Sequence, residues 1–394
     1  MTGGNSELTG RGIFKKYLFF SMMKNMQTEN QDFLTTQIMT YIGNKRSLLG
    51  YIEKEIEIIS ESLQKQKMVC ADLFSGSGIV ARMLKRYSEK LIVNDLENYS
   101  CIINDCYLTN RKDFPSEQYE FYKNQILEES KNHPVRGIIS ENYAPNDDEN
   151  ILLGERVFYT RENAELIDTY RFLIDKIVSE QSCKKFFLAP LLIESSIHVN
   201  TSGVFKGFYK DKNTGLGCFG AAGKDAVSRI KGKIELKTPV FSNFDSCVEI
   251  YNKDSVLLSK ELKNIDIAYL DPPYNQHPYG SNYFMLNLIL KNRLDVEISK
   301  VSGITQDWNR SEFNKNRTAL KSLEKIISSL DAKFIIISYN SEGFITFEEM
   351  TQMLSQYGTV KTVAINYNAF RGSRNLKERD IHVKEFLFIL KKVF

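Results

Sequence analysis

Apolar residues at Leu48, Leu49, Ile52, Ile56 and Ile59 recur at the spacing of one helical face, so residues 38–66 are expected to form a turn followed by an amphipathic helix. Met68-Val69-Cys70-Ala71-Asp72-Leu73-Phe74 then runs apolar into an acid and on to Ser75-Gly76-Ser77-Gly78 and a helical stretch with Val80, Leu84 and Tyr87. Leu91-Ile92-Val93-Asn94-Asp95 repeats the apolar run ending in an acid. Strand, glycine turn, helix and strand make residues 68–95 one βαβ unit, whose crossover should be right-handed.

From about residue 105 to 245 the pattern is less regular, with helices expected through Ala164–Ile177 and Phe186–Ile197. Strand-like runs return at 247–251, 265–270, 333–338, 360–366 and 384–390. Strands on both sides of an irregular middle imply an α/β fold whose single sheet is split by an insertion. The expected division is a polar, flexible leader over residues 1–29, a first part of the sheet domain over 30–110, an inserted region over 111–245 and the remainder of the sheet domain over 246–394. Met23 or Met26 is a candidate natural start.

Composition narrows the class without naming a function. The chain has 394 residues, 42% hydrophobic and 26% charged, which excludes a disordered or collagen-like protein. Lys and Arg number 52 against 49 acids, a net +3 that neither demands nor excludes a polyanionic partner. Six cysteines without a Cys-x-x-Cys pair and four isolated histidines argue against a zinc cluster or disulfide framework, so no metal and a reducing cytoplasm are expected. The most membrane-like stretch, Tyr17-Leu18-Phe19-Phe20, is far short of the roughly 18–20 apolar residues a span requires.

Candidate chemistry collects at the strand ends. Gly76 and Gly78 allow close backbone approach after the first strand, and Asp95 follows Asp72 by 23 residues, a distance that suits an acid on ribose hydroxyls. There is no Gly-x-x-x-x-Gly-Lys-Ser/Thr and no third glycine of a dinucleotide fingerprint, so a cofactor with a ribose but no phosphate fits best. Tyr269-Leu270-Asp271-Pro272-Pro273-Tyr274-Asn275 is more specific. Two prolines leave no soft turn, so the Asp271 carboxylate, the Pro272 carbonyl and the Tyr274 ring are held in set directions. Two acceptors and a stacking face are what an exocyclic amine on a planar base requires. Residues 183–240 carry ten Lys/Arg against four acids, a local +6, interleaved with Phe205, Phe208, Tyr209 and Phe219. That segment reads as a phosphate-contacting surface, with a solvated basic loop as the alternative.

In these residues the chain resembles the Dam-like, alpha-group DNA adenine-N6 methyltransferases, from about residue 38 to the end and in the family's order. Tyr41-Ile42-Gly43-Asn44-Lys45 is similar to the family's N-terminal cofactor motif, Asp72–Gly78 to its glycine-rich motif, Asp95 to its ribose-binding acid and Asp271–Tyr274 to its catalytic Asp-Pro-Pro-Tyr. The middle, Asn200-Thr201-Ser202-Gly203-Val204-Phe205-Lys206-Gly207-Phe208, resembles the methyltransferases that accompany FokI-type (type IIS) restriction endonucleases, where this zone serves target recognition.

The resemblance implies an S-adenosylmethionine-dependent methyltransferase fold, Rossmann-like with a mostly parallel sheet and an inserted target-recognition domain. It implies methyl transfer from S-adenosylmethionine to N6 of a flipped-out adenine, with double-stranded DNA as partner and a restriction endonuclease as genetic companion. Asp271, Pro272 and Tyr274 would be catalytic. Tyr41, Lys45, Asp72, Phe74, Gly76, Gly78, Asp95, Asp254 and Asp271 would bind the cofactor, Lys45 and Tyr41 at its methionine end and Asp254 at its adenine end. Asn200, Ser202, Lys206, Lys210, Arg229, Arg371 and Arg374 are the candidates for DNA contact. Tyr283 and Phe284 are candidates for the wall beside the catalytic motif, or for plain core packing. The alternatives are methylation of cytosine N4 or of an RNA base, and a catalytically silent DNA-binding protein on the same fold.

Overall fold

The computed structural model describes residues 28–220, 226–368 and 382–393. Most of the expected leader therefore lies outside the described residues. Seven strands, β1 (Met68–Asp72), β2 (Ser88–Asn94), β3 (Cys247–Tyr251), β4 (Ile265–Leu270), β5 (Ala332–Asn340), β6 (Gly358–Asn368) and β7 (His382–Lys392), form one sheet in the order β3-β2-β1-β4-β5-β7-β6. β1 to β5 pair in parallel, and β7 runs antiparallel between β5 and β6.

Alternation along the strands sends side chains to opposite faces. Cys70, Leu91, Val93, Ile267 and Ile336 join one apolar layer, while Ala71, Leu73, Ile92, Ala268 and Ile337 join the other. Helices Asn316–Ser329 and Phe347–Ser355 cover the second face. The first is covered by Leu49–Leu63, Ile79–Lys85 and Asn98–Tyr107, and by the long helices of the middle region. Those helices, Ser116–Asn132, Arg161–Ile177 and Gln181–Ile197, pack against one another, against Asn98–Tyr107 and against Phe284–Lys291. The helices of the middle region thus share one continuous core with the sheet.

Buried Arg82 ties down the chain before the sheet. Its guanidinium donates to the carbonyls of Phe33, Thr36 and Gln37 at 2.8, 3.1 and 2.7 Å and lies over the Tyr107 ring. Burial costs such a cation dearly unless its donors are used, and here three carbonyls use them. This delivers residues 41–45 to the carboxyl ends of the strands.

The strand order reverses between β1 and β4, where Asp72 stands beside Tyr269 in the register. In open α/β sheets the crevice beyond the carboxyl ends at such a switch is where ligands bind.

Candidate active site

A cleft opens at this switch point, and chain segments far apart in sequence line it. Tyr41 and Lys45 come from the turn before the first long helix, Asp72 and Phe74 from the end of β1, Asp95 from the end of β2, and Asp271 from the end of β4. Asp254 lines the far side, and its Oδ1 accepts the amides of Val256 and Leu257 at 2.9 and 3.1 Å as the cap of helix Ser255–Leu258.

The glycine turn is shaped by its neighbours. Gly76 has φ +49°, and a Cβ there would come within 2.8 Å of the Tyr41 ring; at Gly78, φ +79°, it would come within 2.5 Å of Asn104 Oδ1. Only glycine meets both demands. The Gly76 amide donates to Asp95 Oδ2 at 2.7 Å and the Glu97 amide to Asp95 Oδ1 at 2.9 Å, so this acid holds the turn as well as facing the cleft. The Tyr41 ring stacks on Tyr279 and Tyr283 at 4.9 and 4.7 Å between centroids.

Asp72 is buried, accepting the Phe74 amide on Oδ1 at 3.4 Å, while its Oδ2 is buried with no partner. Burial drives its pKa well above the carboxylate range. Asp95 shifts upward for the same reason, and Glu97 rises to about 7 through burial and the nearby Asp95 charge. Among the described lining residues the acids Asp72, Asp95, Glu97, Asp254 and Asp271 face a single cation, Lys45. Such a lining suits a ligand that carries positive charge and repels a polyphosphate.

Lys45 is almost fully buried, and its ammonium lies 3.0 Å from Asp271 Oδ1 and 3.0 Å from Glu385 Oε1. Burial alone would lower its pKa, but Asp271 and Glu385 more than reverse that. At Asp271 burial raises the pKa to about 6, with Lys45 pulling it down and Glu385 pushing it up. The lysine expected at the cofactor's methionine end is thus already engaged by two carboxylates of the protein. Glu385, held in turn by Ser338 and Asn340, escaped the sequence reading. An acid inside the apolar run 383–390 was the available signal.

Beside Asp271, the Pro272 residue is buried and the Tyr274 ring packs edge-on to Tyr339 at 6.3 Å. The segment Asn309–Asn314, also unflagged by sequence, forms another wall through Asn309, Ser311, Phe313 and Asn314, with Phe313 edge-on to Phe74 at 5.2 Å. Tyr283 and Phe284 are fully buried core residues, and the neighbouring Tyr279 lines the cleft. Tyr283 still links parts of the site, since its hydroxyl accepts the Ile42 amide at 2.7 Å and donates to the Gly203 carbonyl at 3.1 Å.

The candidates for DNA contact divide. Ser202 and Lys210 are exposed, and Lys206 is half-buried with its pKa lowered by that burial. Asn200 requires a correction. Fully buried, it donates to the carbonyls of Val157 and Cys218 at 2.7 and 2.8 Å and accepts the Gly220 amide at 3.0 Å, which leaves nothing to read a base. Arg229 is likewise turned inward, donating to the carbonyls of Ile197 and Val199 near the end of helix Gln181–Ile197. Arg371 and Arg374 lie outside the described residues. No described helix is long and apolar enough to cross a membrane.

A family model described as D12 class N6 adenine-specific DNA methyltransferase matches residues 41–353. The type II methyltransferase M.NlaIII of Neisseria lactamica is 28% identical over 363 residues, 90% of this chain and 100% of that protein. M.CviAII of Paramecium bursaria Chlorella virus 1 is 29% identical over 358 residues, covering 89% of this chain and 97% of that one. Against M.FokI of Planomicrobium okeanokoites the identity is 26% over 370 residues, 90% of this chain but 53% of the longer relative.

Proposed function

The chain belongs to the D12 class of N6 adenine-specific DNA methyltransferases, and from that membership we propose that it methylates N6 of an adenine flipped out of duplex DNA, using S-adenosylmethionine, as the modification enzyme of a restriction-modification system. The observation that carries the site assignment is the convergence of Asp72, Asp95 and Asp271, from three strand ends, on one cleft beside the Pro272-Pro273-Tyr274 segment. Family membership selects adenine over cytosine N4 or an RNA base, and the intact acids argue against a silent scaffold.

The residues present fit the cofactor. A cleft with five acids against one cation, and a buried Asp72 oxygen without a partner, suits a ligand with a sulfonium and an ammonium and no phosphate. Asp95 would hold the ribose hydroxyls, Asp72 the cationic end and Asp254 the adenine end, with Phe74 packed against the cofactor. S-adenosylmethionine supplies an electrophilic methyl group on sulfur.

Adenine N6 is a poor nucleophile because its lone pair is delocalised into the ring, and in duplex DNA it is occupied in pairing. Extruding the base costs a few kcal/mol. Tyr274 offsets part of this by stacking, worth on the order of 1–3 kcal/mol per base. The Asp271 carboxylate and the Pro272 carbonyl accept the two N6 hydrogens and localise the lone pair on nitrogen. The positive charge that develops on N6 then meets a fixed carboxylate and a fixed dipole.

Exposed Lys210 and half-buried Lys206 are proposed to contact phosphates, and Ser202 lies on the same exposed stretch. A restriction endonuclease is the proposed genetic partner and the cytoplasm the proposed place of action. The test is methylation of duplex DNA with labelled cofactor followed by digestion to nucleosides. Label in N6-methyladenine is expected; label in N4-methylcytosine would overturn the reading.

A further inference from the structure

Glu385 sits on β7, 3% exposed, opposite Asn340 in the antiparallel pair with β5. Its Oε1 accepts the Ser338 hydroxyl at 2.8 Å and the Lys45 ammonium at 3.0 Å, and its Oε2 accepts the Asn340 amide at 3.1 Å. A buried carboxylate costs several kcal/mol unless its lone pairs are satisfied, and these three donors satisfy them. The carboxylate is therefore fixed by the sheet itself, on β5 and β7, neither of which supplies a lining residue of the cleft.

The Lys45 head hangs between this fixed acid and Asp271 at equal distances of 3.0 Å. The closest approach of Lys45 to Asp271 is at Oδ1. Without Glu385 the ammonium would have one carboxylate to settle on, and it would compete for the oxygen that an amine substrate must use.

Resting on the methyl-transfer reading above, we infer that Glu385 is a positioning residue for catalysis: clamped by Ser338 and Asn340, it shares the Lys45 ammonium with Asp271 and keeps the Lys45–Asp271–Glu385 cluster net negative. The net charge matters because the nitrogen accepting the methyl group becomes positive. One cation between two anions leaves one negative charge in excess at the place where that positive charge appears. The groups facing Asp271 are Lys45 from the turn, Glu385 from β7, Tyr269 from β4, Asp72 from β1, and Tyr279 after the proline pair. Of the two neighbours that most affect its titration after burial, Lys45 favours the ionised form and Glu385 opposes it.

The test compares the full-length wild type with Glu385→Gln, Glu385→Asp and Asp271→Ala in single-turnover methylation of a duplex oligonucleotide from about pH 5 to about pH 9, with thermal melting and calorimetric S-adenosylmethionine binding on each protein. Glu385→Gln is expected to slow methyl transfer about tenfold or more, with cofactor affinity held within about twofold, and to move the acid limb of the rate to lower pH. Glu385→Asp keeps the charge on a shorter arm, so its rate falls while its acid limb stays near that of the wild type. Should Glu385→Gln fail to fold, the Asp variant and Ser338→Ala, which removes one clamp, carry the same reading through a lower rate at unchanged DNA KM. A wild-type rate and pH profile in Glu385→Gln would overturn the inference. So would losses in all variants that simply track melting temperature. Asp271→Ala separates the two levels: activity there would sink the site assignment itself, whereas an inactive Asp271→Ala beside a normal Glu385→Gln would sink only the role of Glu385.

Discussion

The Lys45 ammonium lies 3.0 Å from Asp271 Oδ1, an ion pair between the turn before the first long helix and the end of β4. It sets the protonation of the proposed catalytic acid. Burial raises Asp271 to about 6 even with Lys45 opposing the rise. The carboxylate must be ionised to accept an amine hydrogen, so methyl transfer should fall as pH drops through about 6. Lys45→Met removes the opposing cation and should move that acid limb to higher pH. It also leaves Asp271 and Glu385 buried without their cation, and breaking such a pair typically costs about 3–5 kcal/mol, readable by chemical denaturation.

Gly76→Ala should damage the proposed cofactor site from beneath. The new Cβ would lie 2.8 Å from the Tyr41 ring on a backbone with φ +49°, so either the turn or the tyrosine stack must move. Strain of this kind costs on the order of 1–3 kcal/mol. Calorimetry should show S-adenosylmethionine affinity reduced about tenfold or more. Affinity equal to that of the wild type would mean that the turn is not part of the binding surface.

The corrected role of Asn200 can be separated from that of Lys206. Asn200→Ala leaves the Val157 and Cys218 carbonyls and the Gly220 amide without their partner in a buried site. A stability loss on the order of 1–3 kcal/mol is expected in urea denaturation. Lys206→Ala should leave stability nearly unchanged, weaken DNA binding across sequences and lower the slope of log affinity against log salt by about 1.

Glu97 offers a pH test of stability alone. Its pKa rises from 4.5 to about 7, first through burial and then through Asp95. A carboxyl raised in the folded state stabilises below its unfolded pKa, and that stability is lost as pH rises toward 7. Glu97→Gln can still accept the Asn287 amide now bonded at 2.7 Å, so its stability advantage over the wild type should grow between about pH 4.5 and 7 and then level off, at about 3 kcal/mol at most. Parallel stability curves across that range would contradict the assignment.

What could be read from the chain differs between strands and side-chain partners. The run at 265–270 coincides with β4, because a strand buried on both faces is a largely apolar segment with sharp ends, and the run at 247–251 coincides with β3, a half-buried strand at the sheet edge. Helix Gln181–Ile197 begins before the expected Phe186 because its first turn, Gln181-Ser182-Cys183-Lys184-Lys185, is mostly polar and lacks the apolar periodicity that marked the rest. Asp72, Asp95 and Asp271 were legible since each ends an apolar run, and strand ends at a topological switch form the site. Asn200 misled because an amide that satisfies buried backbone and one that reads a base are the same residue in a sequence. Glu385 was hidden for a different reason. Its meaning depends on Lys45 at the opposite end of the chain, and β7 meets that lysine only after the sheet has assembled.

The most direct measurement is methyl transfer by Asp271→Ala beside the wild type, on the same duplex DNA with labelled S-adenosylmethionine and nucleoside analysis of the product. The expected result is N6-methyladenine from the wild type, none above background from the variant, and cofactor binding by the variant that is weakened but measurable. N6-methyladenine formed by Asp271→Ala at the wild-type rate would contradict the proposed role of the Asp271-Pro272-Pro273-Tyr274 segment.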